Sequence, residues 1–158
     1  MGLDKITRKL QEALQASQTL ASRSSHPELG STHVLLSLLQ QEGGILVPIL
    51  QKAEIEVTKL KASTAEALSR EPSAQGAGSQ PQISAGLRAT LDSADQIREE
   101  MGDEFMSVEH FLLGAIKGDS PAGKLLKDAG LDEAKAKEAV KDIRGSQSVT
   151  DENPEGKY

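Results

Sequence analysis

Three histidines, one glycine-lysine turn and a cluster of carboxylates carry the chemistry this chain can offer. His33 and His110 each lead an apolar run, Val34-Leu35-Leu36 and Phe111-Leu112-Leu113, whereas His26 lies in a Ser-rich loop. No HxxxH or ExxH pairing sets two ligands on one helical face, so the pattern does not point to a metal. A histidine at a helix start is better suited to capping local backbone hydrogen bonds, and His26 is expected to be solvated. Gly118-Asp119-Ser120-Pro121-Ala122-Gly123-Lys124 fits the G-x-x-x-x-G-K frame of a phosphate loop. Leu125 follows where that motif needs a magnesium-binding hydroxyl, and Pro121 removes one of the amides that would cradle phosphate. The residues before it, 111–117, have helical rather than strand character, so the stretch is read as an interhelical turn.

Asp103, Glu104 and Glu109 surround the start of another helix, with Ser107 as its expected N-cap. Two readings stand: the carboxylates complement the helix dipole, or they form an acidic surface spot that holds a cationic group of a partner. Thr7 and Ser84 sit early in two further helices, and no nucleophile-base constellation stands out. With no Cys there is no disulfide framework, thiolate zinc site or cysteine nucleophile, which fits a cytoplasmic protein.

The elements that position these groups are helices. Of the 158 residues 37% are hydrophobic but only 2% aromatic, so the core must be built from Leu, Ile, Val and Ala, of which Leu and Ala favour helix. Ile6, Leu10, Ala13, Leu14 and Leu20 fall at helical spacing and predict a helix over 4–22. Val34 to Leu39 is apolar on nearly all sides and reads as a central, buried helix. A short helix through Ile49 and Leu50 and another over 57–68 follow. Residues 72–81 hold only small, polar and breaker residues, which predicts a flexible connection over 70–82.

Beyond that connection the pattern starts again. Ile83-Ser84, Leu87, Leu91 and Ile97 repeat Ile6-Thr7, Leu10, Leu14 and Leu20 at an offset of 77, and His110 repeats His33 at the same offset. Leu126, Ala129 and Leu131 repeat Leu50, Ala53 and Ile55 at 76. An offset held over three helices predicts an all-α fold of about eight helices: two pseudo-twofold-related four-helix repeats, 1–69 and 83–144, in one globular domain. Residues 145–158 are expected to be a flexible tail. A formal charge of −6 with almost no aromatic stacking residues argues against nucleic acid, and no apolar run approaches the roughly 20 residues that span a bilayer.

Three stretches resemble a known family. Asp4-Lys5-Ile6-Thr7, the Gln41-Glu42-Gly43-Gly44 turn, and Gly102-Asp103-Glu104-Phe105-Met106-Ser107-Val108-Glu109-His110 are similar to the Clp N-terminal repeat domain. Arg144-Gly145, Val149-Thr150-Asp151 and Lys157-Tyr158 look like the junction into the first ATPase module of its ClpB branch.

The resemblance implies a non-catalytic substrate-binding appendage of a hexameric AAA+ disaggregase, itself expected to be a monomer. It would capture unfolded or aggregated polypeptides for a ring that threads them with ATP and magnesium, those cofactors and any DnaK-type co-chaperone belonging to other regions. Thr7, Asp103 and Glu109 match polar positions associated with substrate handling, and Leu91 and Ile97 match the family's apolar groove. Ser93 and His110 stand where relatives can be apolar. The alternative is an adaptor- or phosphoarginine-binding domain of the ClpC or ClpA type. Ser84 with Glu109 could then retain one polar pocket, while Thr7 would face Thr32 rather than an acid. The client site is thus expected along Leu91 and Ile97, bordered by Thr7, Asp103, Glu109 and His110, with Ser84 in a secondary polar pocket.

Overall fold

The computed structural model describes residues 5–73, 80–145 and 152–154. Eight helices follow one another: α1 (Arg8–Arg23), α2 (Ser31–Gln40), α3 (Leu46–Lys52), α4 (Val57–Ser69), α5 (Ala85–Glu100), α6 (Val108–Lys117), α7 (Pro121–Asp128) and α8 (Glu133–Arg144). Two two-residue strands, β1 (Glu28–Leu29) and β2 (Gln82–Ile83), pair in parallel. The predicted eight-helix fold is the observed one.

α2 and α6 are the central helices, buried at every position from Ser31 to Leu39 and from Val108 to Ile116. Their sequences are apolar nearly all round because neighbours cover every face. α1 packs on α2 and α5 on α6 in the same way. The core is aliphatic, with Phe111 as its one fully buried phenyl ring among the described residues. Where helices approach most closely there is no room for a side chain. A Cβ on Gly123 would lie 2.1 Å from the Ala115 carbonyl oxygen, and one on Gly114 would lie 2.8 Å from the Ala94 nitrogen.

The two repeats do not sit side by side as closed units. Ile6 pairs in parallel with Met106, and Ile83 pairs with Leu29. Since 83 is 6 + 77 and 106 is 29 + 77, the second pairing is the pseudo-twofold mate of the first. The hydrogen bonds repeat it: Thr7 N–H donates to the Met106 carbonyl at 2.9 Å and Ser84 N–H to the Leu29 carbonyl at 2.9 Å. α3 packs on α8 while α4 packs on α7, again reciprocally. Each repeat thus lends its leading segment to the other.

This exchange corrects the predicted start of α1. Ile6 is in extended pairing, and Thr7, with ψ at 157°, is the N-cap whose hydroxyl accepts from Leu10 N–H. Helical periodicity ran into a segment whose amide and carbonyl are taken by another strand. Of the expected flexible connection, residues 74–79 lie outside the described residues, whereas Gln82 is in β2. Of the expected tail, 146–151 and 155–158 lie outside them. Its described part packs on the domain: the Glu152 carbonyl accepts from Arg8 N–H at 2.7 Å, and Pro154 is buried.

Candidate binding sites

The start of each central helix is held by its histidine. His33 Nδ1 accepts from Gly30 N–H at 3.0 Å, and His110 Nδ1 accepts from Ser107 N–H at 2.8 Å. An Nδ1 that accepts cannot carry the proton, so both imidazoles are Nε2–H tautomers with a donor pointing away from the cap. Those donors find different partners in the two repeats. His110 Nε2 lies 2.7 Å from Asp103 Oδ2, while His33 Nε2 lies 2.9 Å from His26 Nδ1. Position 103 is 26 + 77, so one architectural slot holds a carboxylate in one repeat and an imidazole in the other. His26 is therefore buried, not solvated as its loop composition suggested. Its Nδ1 accepts the hydrogen bond that His33 Nε2–H donates.

In the second repeat the carboxylate is charge-balanced. Arg144, from the last turn of α8, clamps Asp103 through both terminal nitrogens, at 2.9 and 2.7 Å, and lies 3.6 Å from Glu109 Oε2. Arg98 adds a bond to the Asp103 main-chain carbonyl at 2.8 Å. Thr7, Asp103, Glu109, His110 and Arg144 are all buried, the most exposed at 7%. The acidic positions thus form an internal network that ties α6 to α8, and none of these five presents appreciable surface in this structure. Arg144 was missed from the sequence because α8 otherwise reads as a solvated, mixed-charge helix. The available signal was that Ala136, Val140 and Arg144 recur every four residues, which puts an arginine on a buried stripe.

Leu91 and Ile97 are six positions apart on α5, which turns them about 120° from each other. They line separate hollows. Leu91 belongs to a cleft on the repeat seam with Ile6, Leu14, Leu29, Pro81 and Ile83. Ile97 belongs to a groove of about 400 Å³ between the end of α5, α6 and α8. The groove's apolar walls are Ile97, Met101, Leu113 and Val140, and Met101 stands 39% exposed. Lys117, Lys137, Lys141, Glu100 and Glu133 rim it.

Ser84 caps α5, its hydroxyl accepting from Leu87 N–H at 3.0 Å. Because the leading segments are exchanged, it sits by Gly30 and Thr32 and not by Glu109. Thr7 conversely lies in the half that holds Met106 and Arg144, not opposite Thr32. Neither expected pairing of these polar residues is therefore formed. Beside Ser84, Glu71 has its carboxyl pushed above the usual range, first by burial, with Glu28 raising it and His26 opposing. Of the Gly118–Lys124 stretch, 118–120 form the interhelical turn, Ser120 caps α7 through Gly123 N–H, and Pro121 opens the first turn of that helix.

The Clp repeat (R) N-terminal domain family matches residues 5–153. The chain belongs to that family. This Clp N-domain is 39% identical over 156 residues to the chaperone protein ClpB 1 of Synechococcus elongatus, a match covering 98% of the chain. The chain spans about a fifth (18%) of the length of that relative. Its fold is that of the Hsp104 N-terminal domain from Candida albicans, at a TM-score of 0.85 and 18% identity over 96% of this chain and 99% of that one. A ClpV N-domain solved in complex with a VipB peptide has the same fold, at a TM-score of 0.73 and 22% identity over 87% and 86%. No described helix of this Clp N-domain is long and apolar enough to cross a membrane.

Proposed function

We propose that this Clp N-domain is the client-capturing, non-catalytic part of a ClpB-type AAA+ chaperone, and that it holds apolar side chains of unfolded or aggregated polypeptides in the groove between α5, α6 and α8. The observation that carries this is the groove itself: an apolar floor of Ile97, Leu113 and Val140 beside a partly exposed Met101, framed by a lysine-rich rim. Methionine adapts its shape to different partners, which suits a site that must accept many sequences. One leucine-sized side chain buried there contributes about 2 kcal/mol before ordering costs, so a single domain binds weakly and with little sequence demand. Six copies on a hexameric ring recover affinity through effective concentration, and the ring's ATP and magnesium drive threading. A DnaK-type co-chaperone would act on other regions. The match to ClpB and the peptide-bound ClpV N-domain both support a peptide-binding role.

In this reading Asp103, Glu109 and His110 act from beneath, by fixing the α6–α8 wall through Arg144, Thr7 is the buried cap of α1, and Ile97 alone of the expected residues lines the groove. The phosphoarginine-binding alternative has less support. Glu109 already faces Arg144, and Ser84 shares its hollow with Thr32 and Glu71 and not with Glu109. The test is binding of fluorescently labelled, unfolded casein to the Met101→Glu and Lys137→Glu variants, both altered at exposed positions, with the unfolding midpoint of each checked first. Met101→Glu is expected to weaken binding about tenfold, in line with losing the apolar contact and adding a carboxylate. Unchanged affinity in both variants would remove the groove from consideration.

A further inference from the structure

Sulfur in this chain is confined to three methionines, since there is no cysteine. Met1 lies outside the described residues, and the other two stand in opposite surroundings five positions apart. Met106 is 0% exposed and is held in the exchanged pairing: its carbonyl accepts from Thr7 N–H at 2.9 Å and its N–H donates to the Lys5 carbonyl at 2.8 Å. Met101 is the C-cap of α5 and, with Ile83, one of the two large apolar side chains left exposed on the described surface. The helix stops there because Gly102, at a φ of 73°, turns the chain away. The backbone on either side is fixed, Met101 N–H donating to the Ile97 carbonyl at 2.9 Å and Gly102 N–H to the Glu99 carbonyl at 3.0 Å. A solvent-accessible thioether is thus held as one wall of the α5–α6–α8 groove, beside Ile97, Leu113 and Val140.

Oxidation of a thioether to a sulfoxide turns a flexible apolar side chain into a polar one with a strongly accepting oxygen. On this groove that oxygen would meet donors, because Lys117 and Lys141 line it and form no ion pair among the described residues. We propose that Met101 is an oxidation switch on the groove: a peroxide oxidises its sulfur, and the sulfoxide closes the apolar site to clients until it is reduced. This rests on the groove being the client site. In the reaction the sulfur lone pair attacks one oxygen of hydrogen peroxide, and an S–O bond forms as the O–O bond breaks. The proton on the transferred oxygen passes to the departing hydroxide, which leaves as water, and sulfur gives up two electrons to the peroxide. No base or metal of the protein takes part, so access to solvent decides which methionine reacts, and the buried Met106 is the internal reference.

The experiment exposes the full chain to hydrogen peroxide, which catalase removes before labelled, unfolded casein is added. Trypsin cuts after Arg98 and Lys117, so both methionines fall in the peptide 99–117 and its fragment ions place the added oxygen. Met101 should gain oxygen about tenfold faster than Met106, and casein binding should fall about fivefold with the unfolding midpoint unchanged. Methionine sulfoxide reductases A and B together should restore both mass and affinity. Met101→Leu keeps an apolar wall and should bind casein equally well before and after peroxide, with Met1 still present as a control. Met101→Gln places a polar amide there and should bind like the oxidised protein before any peroxide is added. Equal oxidation of Met101 and Met106, or loss of binding in peroxide-treated Met101→Leu, would overturn the proposal. Casein binding that persists once Met101 is fully oxidised overturns the switch and leaves the client groove standing, whereas an untreated chain that fails to bind casein removes both.

Discussion

His33 should make this domain lose stability in mildly acidic solution. Its ring is fully buried, with Nδ1 accepting from Gly30 N–H and the Nε2 proton given to His26. A second proton must enter at Nδ1 and displace the Gly30 amide. Burial first, and His26 second, push its pKa down from 6.5 to about 4. In the unfolded chain the same ring titrates near its ordinary value, so between those two pH values the unfolded state binds a proton that the folded state refuses. Stability from this group is therefore complete above about pH 6.5, declines as the pH falls, and is exhausted near pH 4. From those two pKa values the loss is about 1 kcal/mol at pH 5.5 and about 2–3 kcal/mol at pH 4.5. Carboxylates titrate in the same range, so the comparison is with His33→Gln, which keeps an acceptor for Gly30 N–H. Urea unfolding of both proteins at pH 7.5, 5.5 and 4.5 is the assay. The variant should be the less stable at pH 7.5, and its deficit should shrink by about 2–3 kcal/mol at pH 4.5. Parallel stability curves across that range would refute the reasoning.

Three further outcomes are expected. Gly123→Ala forces a methyl against the Ala115 carbonyl and should cost about 3 kcal/mol, read as a lowered unfolding midpoint, because backbone and not a flexible side chain must move. Arg144→Met leaves the buried Asp103 carboxylate without its cation and should cost about 3–5 kcal/mol in urea unfolding, with Asp103→Asn in the same background restoring part of it. Ser120→Ala removes the hydroxyl that accepts from Gly123 N–H and donates to the Ala115 carbonyl, and should cost about 1–2 kcal/mol by thermal denaturation.

What the residues disclose follows the range over which they interact. The helices were legible because most bury one stripe while α2 and α6 are apolar nearly all round, and either pattern is written within a dozen residues. The capping role of His33 and His110 was legible for the same reason, since cap and histidine are three residues apart. The partners of their second nitrogens were not. Asp103 and Arg144 meet across 41 residues, and nothing in local composition distinguishes His26 from a solvated loop residue. The offset of 77 held the missing information: applied to His33 and His110 it revealed the repeat, and applied to His26 and Asp103 it aligns the residues that complete each pair. The expected common face of Leu91 and Ile97 is not formed: six positions apart on α5, they line separate hollows, which whole-stripe spacing does not distinguish and degrees do.

The reciprocal pairing of Ile6 with Met106 and of Leu29 with Ile83 has a consequence for how the molecule is made. A polypeptide leaving the ribosome as far as residue 73 contains all four helices of the first repeat, yet Ile6 still lacks Met106 and Leu29 still lacks Ile83. Neither half can close on its own, so the domain must wait for about 110 residues to emerge before its centre can form. A fragment of residues 1–73 should therefore show little protection in amide exchange. Mixed with residues 80–158, it should regain a single cooperative transition, two halves completing one object that neither can begin.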